Sequence, residues 1–273
     1  MNNSFENGIL EILEDALNNA KKEVFRILGK EEAKKIVGKH FGDVTTLIDD
    51  VAEKAIINTI KERISNAILI SEEIGLVKFG NNVKCIFIID PLDGSTNAIR
   101  GYNCFSGSIA VSYDWNSSNI FAGMVMNYVT GDIFSAKKGE GAYLNNKKVH
   151  PSNIKKIEEA MIALDLNIRK KIPGYAKRIS PIIENSKYIR FLGTDALEIS
   201  FVSAGICDAF IDLRGFLRLT DFAAAAFIVK EAGGIVLNDK REPLNIIINR
   251  NARSSIIAAS TIDLYNDILN HII

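Results

Sequence analysis

The sequence predicts a layered α/β fold, an αβαβα arrangement with two sheets sandwiched between helices. Three observations carry that expectation. The chain opens on a long stretch with helical periodicity. Its middle is dense in short strands broken by turn residues. Beyond about residue 155, strands alternate with helices. With 47% hydrophobic residues over 273 positions, the chain can fill the core of one large domain or two closely packed lobes.

From Phe5 to Leu28 the apolar residues Phe5, Ile9, Leu13, Leu17, Ala20, Val24 and Leu28 share one helical face, with Ser4 as the expected N-cap and Gly29 as the stop. Residues 30–42 are charged and punctuated by glycine, and read as a loop. A second helix is expected from Leu47 to Ile64, started by a Thr46/Asp49 capping box, with Ile48, Val51, Ala52, Ala55, Ile56 and Ile60 on its apolar face. Two strands should follow, at 67–71 and 84–89, then four more at 106–113, 120–128, 132–136 and 142–144. Asn116-Ser117-Ser118, Thr130-Gly131 and Gly139-Glu140-Gly141 are the turns between the last four. After them, expected strands at 161–166, 188–192, 209–213, 235–237 and 255–259 alternate with expected helices at about 173–185, 195–205, 220–232 and 261–271. This change of pattern divides the chain into a 1–155 lobe and a 156–273 lobe.

Charge narrows the function classes. Lys+Arg and Asp+Glu are both 33, so a nucleic-acid binder working by bulk electrostatics is disfavoured, and attraction for an anion must be local. The three cysteines, Cys85, Cys104 and Cys207, lack CxxC spacing and read as reduced packing residues; His40, His150 and His271 lack zinc-ligand spacing. The acidic opening MNNSFENGILEILEDAL has no basic start or long apolar run, and no membrane-length apolar stretch follows. A soluble, cytoplasmic protein is the expectation.

The sharpest local signal is Ile88-Ile89-Asp90-Pro91-Leu92-Asp93-Gly94-Ser95-Thr96-Asn97. An apolar strand ends at Asp90, and Pro91 stiffens its exit so that Asp90 and Asp93 can be aimed at one point. Carboxylates and the Leu92 carbonyl are hard oxygen donors suited to Mg²⁺. Gly94-Ser95-Thr96 opens an expected helix whose first amides suit a phosphate. Three weaker signals accompany it. Ser71-Glu72-Glu73 ends the strand expected beside the one leading to Asp90, and adjacent carboxylates there repel unless a cation neutralises them. Asp49 and Glu53 lie one helical turn apart. Asp221 precedes an alanine-rich helix able to pack close to its neighbours.

In combination these motifs resemble the inositol monophosphatase and fructose-1,6-bisphosphatase superfamily. The D-P-x-D-G-[ST]-x-N run is highly specific, and S-E-E upstream and D-x-A-A downstream fall in the right order, so the likeness spans Asp43 to Gly234. The run Leu213-Arg214-Gly215-Phe216-Leu217-Arg218-Leu219-Thr220-Asp221 looks like the archaeal branch, whose members often hydrolyse both inositol monophosphate and fructose 1,6-bisphosphate. The resemblance implies two or three Mg²⁺ per site, with Mn²⁺ as a substitute. Glu72, Asp90, the Leu92 carbonyl and Asp93 would hold the first ion; Asp90, Asp93 and Asp221 the second; Glu72 and Glu73 would contact a weaker third. Asp49, Glu72 and Ser95 would activate and position the attacking water, and the amides of Gly94, Ser95 and Thr96 would hold the phosphate. D-x-x-D-G, unlike the D-x-D of aspartyl-phosphate enzymes, implies no phospho-enzyme.

Inositol-specific relatives carry a glutamate seven residues before the last metal aspartate; Arg214 stands there in this chain, which implies a second phosphate on the substrate. Arg214 is the leading candidate to hold it, with Arg218, Arg190 near the Gly193-Thr194-Asp195 turn, and Arg169-Lys170-Lys171 as further cations; Asp195 is expected among the substrate contacts. The implied partner is a small phosphorylated sugar or polyol, with no nucleic acid and no membrane, acted on by a homodimer. A phosphatase of 3′-phosphonucleotides or NADP is the alternative within the superfamily. A non-catalytic regulator with the same fold is the alternative outside catalysis, and the presence of every metal-ligand residue weighs against it.

Overall fold

The computed structural model describes residues 6, 8–40, 43–168 and 172–272. The expected helix start at Ser4 and Phe5 and the Arg169-Lys170-Lys171 run lie outside them.

The chain begins with α1 (Ile9–Ile27), the hairpin β1 (Ile36–His40) and β2 (Asp43–Thr46), and α2 (Leu47–Arg63). Next come β3 (Ala67–Ser71), β4 (Gly75–Phe79), β5 (Ile86–Asp93), the short helix α3 (Ser95–Arg100), β6 (Ser106–Ser112), β7 (Ile120–Asn127), β8 (Ile133–Lys137), β9 (Gly141–Leu144) and β10 (Lys147–Val149). The remainder runs β11 (Met161–Leu164), α4 (Tyr175–Asn185), β12 (Tyr188–Arg190), α5 (Asp195–Ser203), β13 (Ala209–Arg218), α6 (Leu219–Ala232), β14 (Ile235–Leu237), β15 (Arg253–Ala259) and α7 (Ile262–Asn270). One sheet has eight strands in the order β10-β9-β8-β7-β6-β5-β3-β4, and the other has five in the order β12-β11-β13-β15-β14.

Strand alternation builds the layers. Along β3 and β5, Ala67, Leu69, Phe87 and Ile89 pack with α1 and α2 on one face of the large sheet. Ile68, Ile70, Ile86 and Ile88 point the other way, into a central core shared with α5, α6 and the inner face of the smaller sheet. A third core joins α4 and α7 to that sheet's outer face through Ile162, Leu164, Ile179, Ile257, Tyr265 and Ile268. The result is the expected five-layer α/β arrangement. Helix α6 is the hinge pin of the stack, lying against β5–β9 on one side and β13–β15 on the other. Its alanines allow this: a Cβ on Gly123 of β7 would sit 3.2 Å from the Ala224 carbonyl and 3.2 Å from the Phe227 ring, so sheet and helix meet at glycine-to-alanine distance.

Four strands of the described residues went unforeseen: β1, β2, β4 and β10. β1 falls inside the expected 30–42 loop and β2 just before the expected helix; Ile36 and Val37 are neighbours yet both exposed, as is Val44, so their apolar residues give no period of two. β4 and β10 are the outer strands of the large sheet, and the exposed Lys147-Lys148 pair in β10 is what an edge strand carries to discourage further pairing. Among the described residues no helix is long and apolar enough to cross a membrane.

Candidate active site

β3 and β5 are parallel, with Ser71 in register with Ile89. The residues that follow, Glu72 and Asp90, therefore leave the sheet side by side. Asp90 is fully buried. Its Oδ1 accepts the Leu92 amide at 3.2 Å, whereas its buried Oδ2 has no hydrogen-bond partner among the described residues. Such an orphan carboxylate oxygen is costly unless a proton or cation completes it. The β5–β6 register slips between Asp90 and Asp93, which face Ser108 and Ser106, so Pro91-Leu92 forms a bulge. Tyr128 Oη donates to the Pro91 carbonyl at 3.0 Å and fixes that bulge from behind.

Asp221, in the first turn of α6, comes to the same point from the other half of the chain. One oxygen from each of Glu72, Asp90 and Asp221 lies within 4.8 Å of the others. A trio of carboxylates, two of them buried, around an oxygen without a partner among the described residues fits a hard divalent cation. Asp93 stands beside the trio with its Oδ2 already engaged: it accepts the Thr194 hydroxyl at 2.7 Å and the Ala196 amide at 2.8 Å, capping α5. A cation of the protein's own also enters the cluster. Arg218 Nε donates to both Asp221 oxygens, at 2.9 and 3.0 Å, and its Nη1 is paired with Glu72 Oε1.

Gly94 turns the chain from β5 into α3 with φ of +86°, and a Cβ there would meet the Cys104 and Gly193 carbonyls at 3.1 and 3.2 Å, so glycine is required on both counts. Asn97, the last residue of the motif, donates to the Cys104 and Leu192 carbonyls at 2.8 Å each, tying α3 to the turn before α5. Glu198 completes that turn by accepting the Leu192 and Gly193 amides at 3.0 and 3.1 Å. On the opposite wall Asp49 accepts the Thr46 hydroxyl at 2.6 Å in the foreseen capping box, and Ser95 is near enough to lower its proton affinity. Glu53, one turn on, takes the Ile74 amide at 3.0 Å, and Arg250 Nη2 grips the Glu72 and Glu73 carbonyls at 2.8 and 3.0 Å. The roles of Thr194, Glu198 and Arg250 gave no signal in the sequence, because each works through a contact made only in the fold.

The expected substrate contacts divide. Asp195 lies at the start of α5 with a buried Oδ1 that has no hydrogen-bond partner among the described residues. Arg190 is exposed at the end of β12 and lies over the Tyr188 ring. Arg214 is tied up in a buried network: Nε and Nη2 bond to Asp212 at 2.9 and 2.7 Å, Nη2 also pairs with Asp165, and Nη1 donates to the Asn167 carbonyl at 2.8 Å. Its charge is matched by two aspartates, so it does not stand ready as the cation for a distal phosphate.

Burial of so many carboxylates raises their proton affinity. Desolvation lifts Asp49 from the ordinary 3.8 to about 6 and Glu198 from 4.5 to about 7. Desolvation, with neighbouring carboxylates adding to it, lifts Glu72 to about 7 and Asp93 to about 8. Each group binds protons more tightly folded than unfolded, so its contribution to stability is complete below pH about 4 and is lost as pH rises through about 6 to 8. The metal-free protein should therefore melt at a higher temperature at about pH 5.5 than at about pH 8, by roughly 5 °C or more, and saturating Mg²⁺ should remove the difference. Differential scanning fluorimetry across that range checks this; a metal-free melting temperature that climbs with pH would contradict it.

Comparison with known proteins agrees with this geometry. Residues 7–270 match the Inositol monophosphatase family. The chain belongs to that family. Among its relatives is a fructose-1,6-bisphosphatase/inositol-1-monophosphatase of Methanothermobacter thermautotrophicus, 34% identical over 253 residues that make up 89% of each chain. A bifunctional NADP phosphatase/NAD kinase of Methanocaldococcus jannaschii is 34% identical over 88% of this chain and 46% of its own length. A solved protein from Pyrococcus horikoshii, described as similar to inositol-1 monophosphatase, matches with a TM-score of 0.83 at 27% identity over 98% of this chain and 99% of its own. Membership makes the chain a phosphoric monoester hydrolase of a metal-dependent family.

Proposed function

We propose that this enzyme is a Mg²⁺-dependent phosphatase of small phosphorylated sugars and polyols, with fructose 1,6-bisphosphate and inositol monophosphate both as substrates. The observation that carries the proposal is the unpartnered Asp90 oxygen within the Glu72–Asp90–Asp221 trio, beside the Gly94-Ser95-Thr96 turn. Glu72, Asp90 and Asp221, with Asp93 and the Leu92 carbonyl, are the proposed ligands for two or three Mg²⁺ ions, which Mn²⁺ can replace. When bound, such ions neutralise the phosphoryl oxygens and polarise the ester for attack.

The chain's own residues do the rest. The first-turn amides of Gly94, Ser95 and Thr96 hold the phosphoryl oxygens. Ser95 and Asp49 orient the attacking water, and Asp49, lifted to about 6, has a proton affinity suited to a general base near neutral pH. Water oxygen bonds to phosphorus as the P–O ester bond breaks, the water's proton passes to the carboxylate side, and the departing alkoxide takes a proton from solvent beside Asp221. No protein atom bonds to phosphorus. In this reading the 1–155 lobe supplies the phosphate turn and the 156–273 lobe supplies Asp221, Asp195 and the surroundings of the leaving group, in a cytoplasmic homodimer.

Because Arg214 is matched by Asp165 and Asp212, a second phosphate gains no unpaired charge from it, and both substrates are expected to turn over with kcat/KM within about tenfold of each other, a difference of roughly 1.4 kcal/mol. Identity to an NADP phosphatase keeps NADP in the test as the second reading. Steady-state kinetics on fructose 1,6-bisphosphate, inositol 1-phosphate and NADP with saturating Mg²⁺ decides. Turnover of NADP far above the other two would replace the sugar and polyol reading.

A further inference from the structure

The guanidinium of Arg218 lies within the acidic trio. It reaches both Asp221 oxygens through Nε and one Glu72 oxygen through Nη1, and Asp90 is close enough to raise its proton affinity further. Asp221 and Glu72 are two of the three carboxylates whose oxygens converge, so Arg218 bonds to the same carboxylates that would hold a cation. An oxygen aimed at a guanidinium N–H cannot give the same lone pair to a metal, and two positive charges cannot share the trio without repulsion. The two occupants are therefore alternatives.

The backbone suits an arm that swings. Arg218 ends β13, where it is in register with Arg253, and it is also the N-cap of α6, so its Cα is fixed by the sheet and by the helix. Its side chain remains 28% exposed, which leaves a route from the cluster to solvent.

We propose that Arg218 is a built-in counter-cation: it neutralises the ion-free trio, must withdraw when a divalent cation binds, and thereby weakens and tunes metal affinity. The inference rests on the metal reading of the trio. A residue that only capped α6 would stabilise the metal-free and metal-loaded protein alike. A counter-cation stabilises the metal-free form alone.

Arg218→Met keeps the length and apolar stem but removes the charge. Titration calorimetry with MgCl₂, without substrate, should give a Kd roughly tenfold tighter than wild type. The metal-free melting temperature at about pH 8 should fall while the Mg²⁺-saturated one stays within about 2 °C of wild type. Should the metal-free variant not fold, the wild-type protein supplies the test by NMR. The Arg218 Nε–Hε resonance, assigned by its absence in Arg218→Lys, should shift from an ion-paired to a solvent-exposed position on adding Mg²⁺. An unchanged or weaker Kd, equal loss of stability in both forms, or a resonance indifferent to saturating Mg²⁺ overturns the proposal. Failure of the wild type to bind Mg²⁺ at all would overturn the metal reading as well, and so is distinguishable from failure of this inference alone.

Discussion

Asp90→Asn is expected to lower kcat by roughly a thousandfold or more, about 4 kcal/mol on the barrier, while leaving the protein folded. Asparagine has the size and shape of aspartate, and its remaining oxygen can still accept the Leu92 amide, so the Pro91-Leu92 bulge survives. What disappears is the negative charge on a fully buried group with an unpartnered oxygen. The new amide N–H can donate to Glu72 or Asp221, which turns carboxylate repulsion into hydrogen bonding in the metal-free protein. The melting temperature without metal should therefore rise as activity falls, a combination that unfolding cannot mimic. Paired thermal melts and phosphate-release assays on the purified variant measure both. Near-wild-type kcat in a folded Asp90→Asn protein would remove Asp90 from the metal site.

The variant also marks what could be read from the chain alone. The ten residues ending at Asn97 announced a strand, a stiff exit and a glycine turn because each demands a particular residue type in a fixed order, and the structure has a strand end, a bulge and a left-handed Gly94 there. The Thr46–Asp49 capping box was legible for the same reason: its partners are three residues apart. Long-range partnerships were not. Asp93 is expected from the sequence as a metal ligand, and nothing there shows that one of its oxygens caps α5, 103 residues away in sequence at the Ala196 amide it accepts. Arg214 looked like an open cation because the sequence does not reveal that Asp165 and Asp212 converge on it. Arg218 had been grouped with it as a phosphate contact, whereas in the fold it reaches back into the trio. Charge signs are printed in the sequence; how charges are paired is decided by topology.

Metal removal carries the other large effect. Above about pH 8, where Glu72 and Asp93 have lost their protons, the described residues of the cluster carry more negative charge than Arg218 offsets. Phosphate brings still more negative charge. Without a divalent cation a phosphate ester should be repelled from the Gly94–Thr96 turn, so both binding and the chemical step should fail. The decisive measurement is inorganic phosphate release from fructose 1,6-bisphosphate and inositol 1-phosphate by chelator-stripped enzyme, before and after Mg²⁺ is restored. No release above background is expected from the stripped enzyme, with turnover recovered once Mg²⁺ is restored. Undiminished release after stripping, or none from either substrate at saturating Mg²⁺, would contradict it.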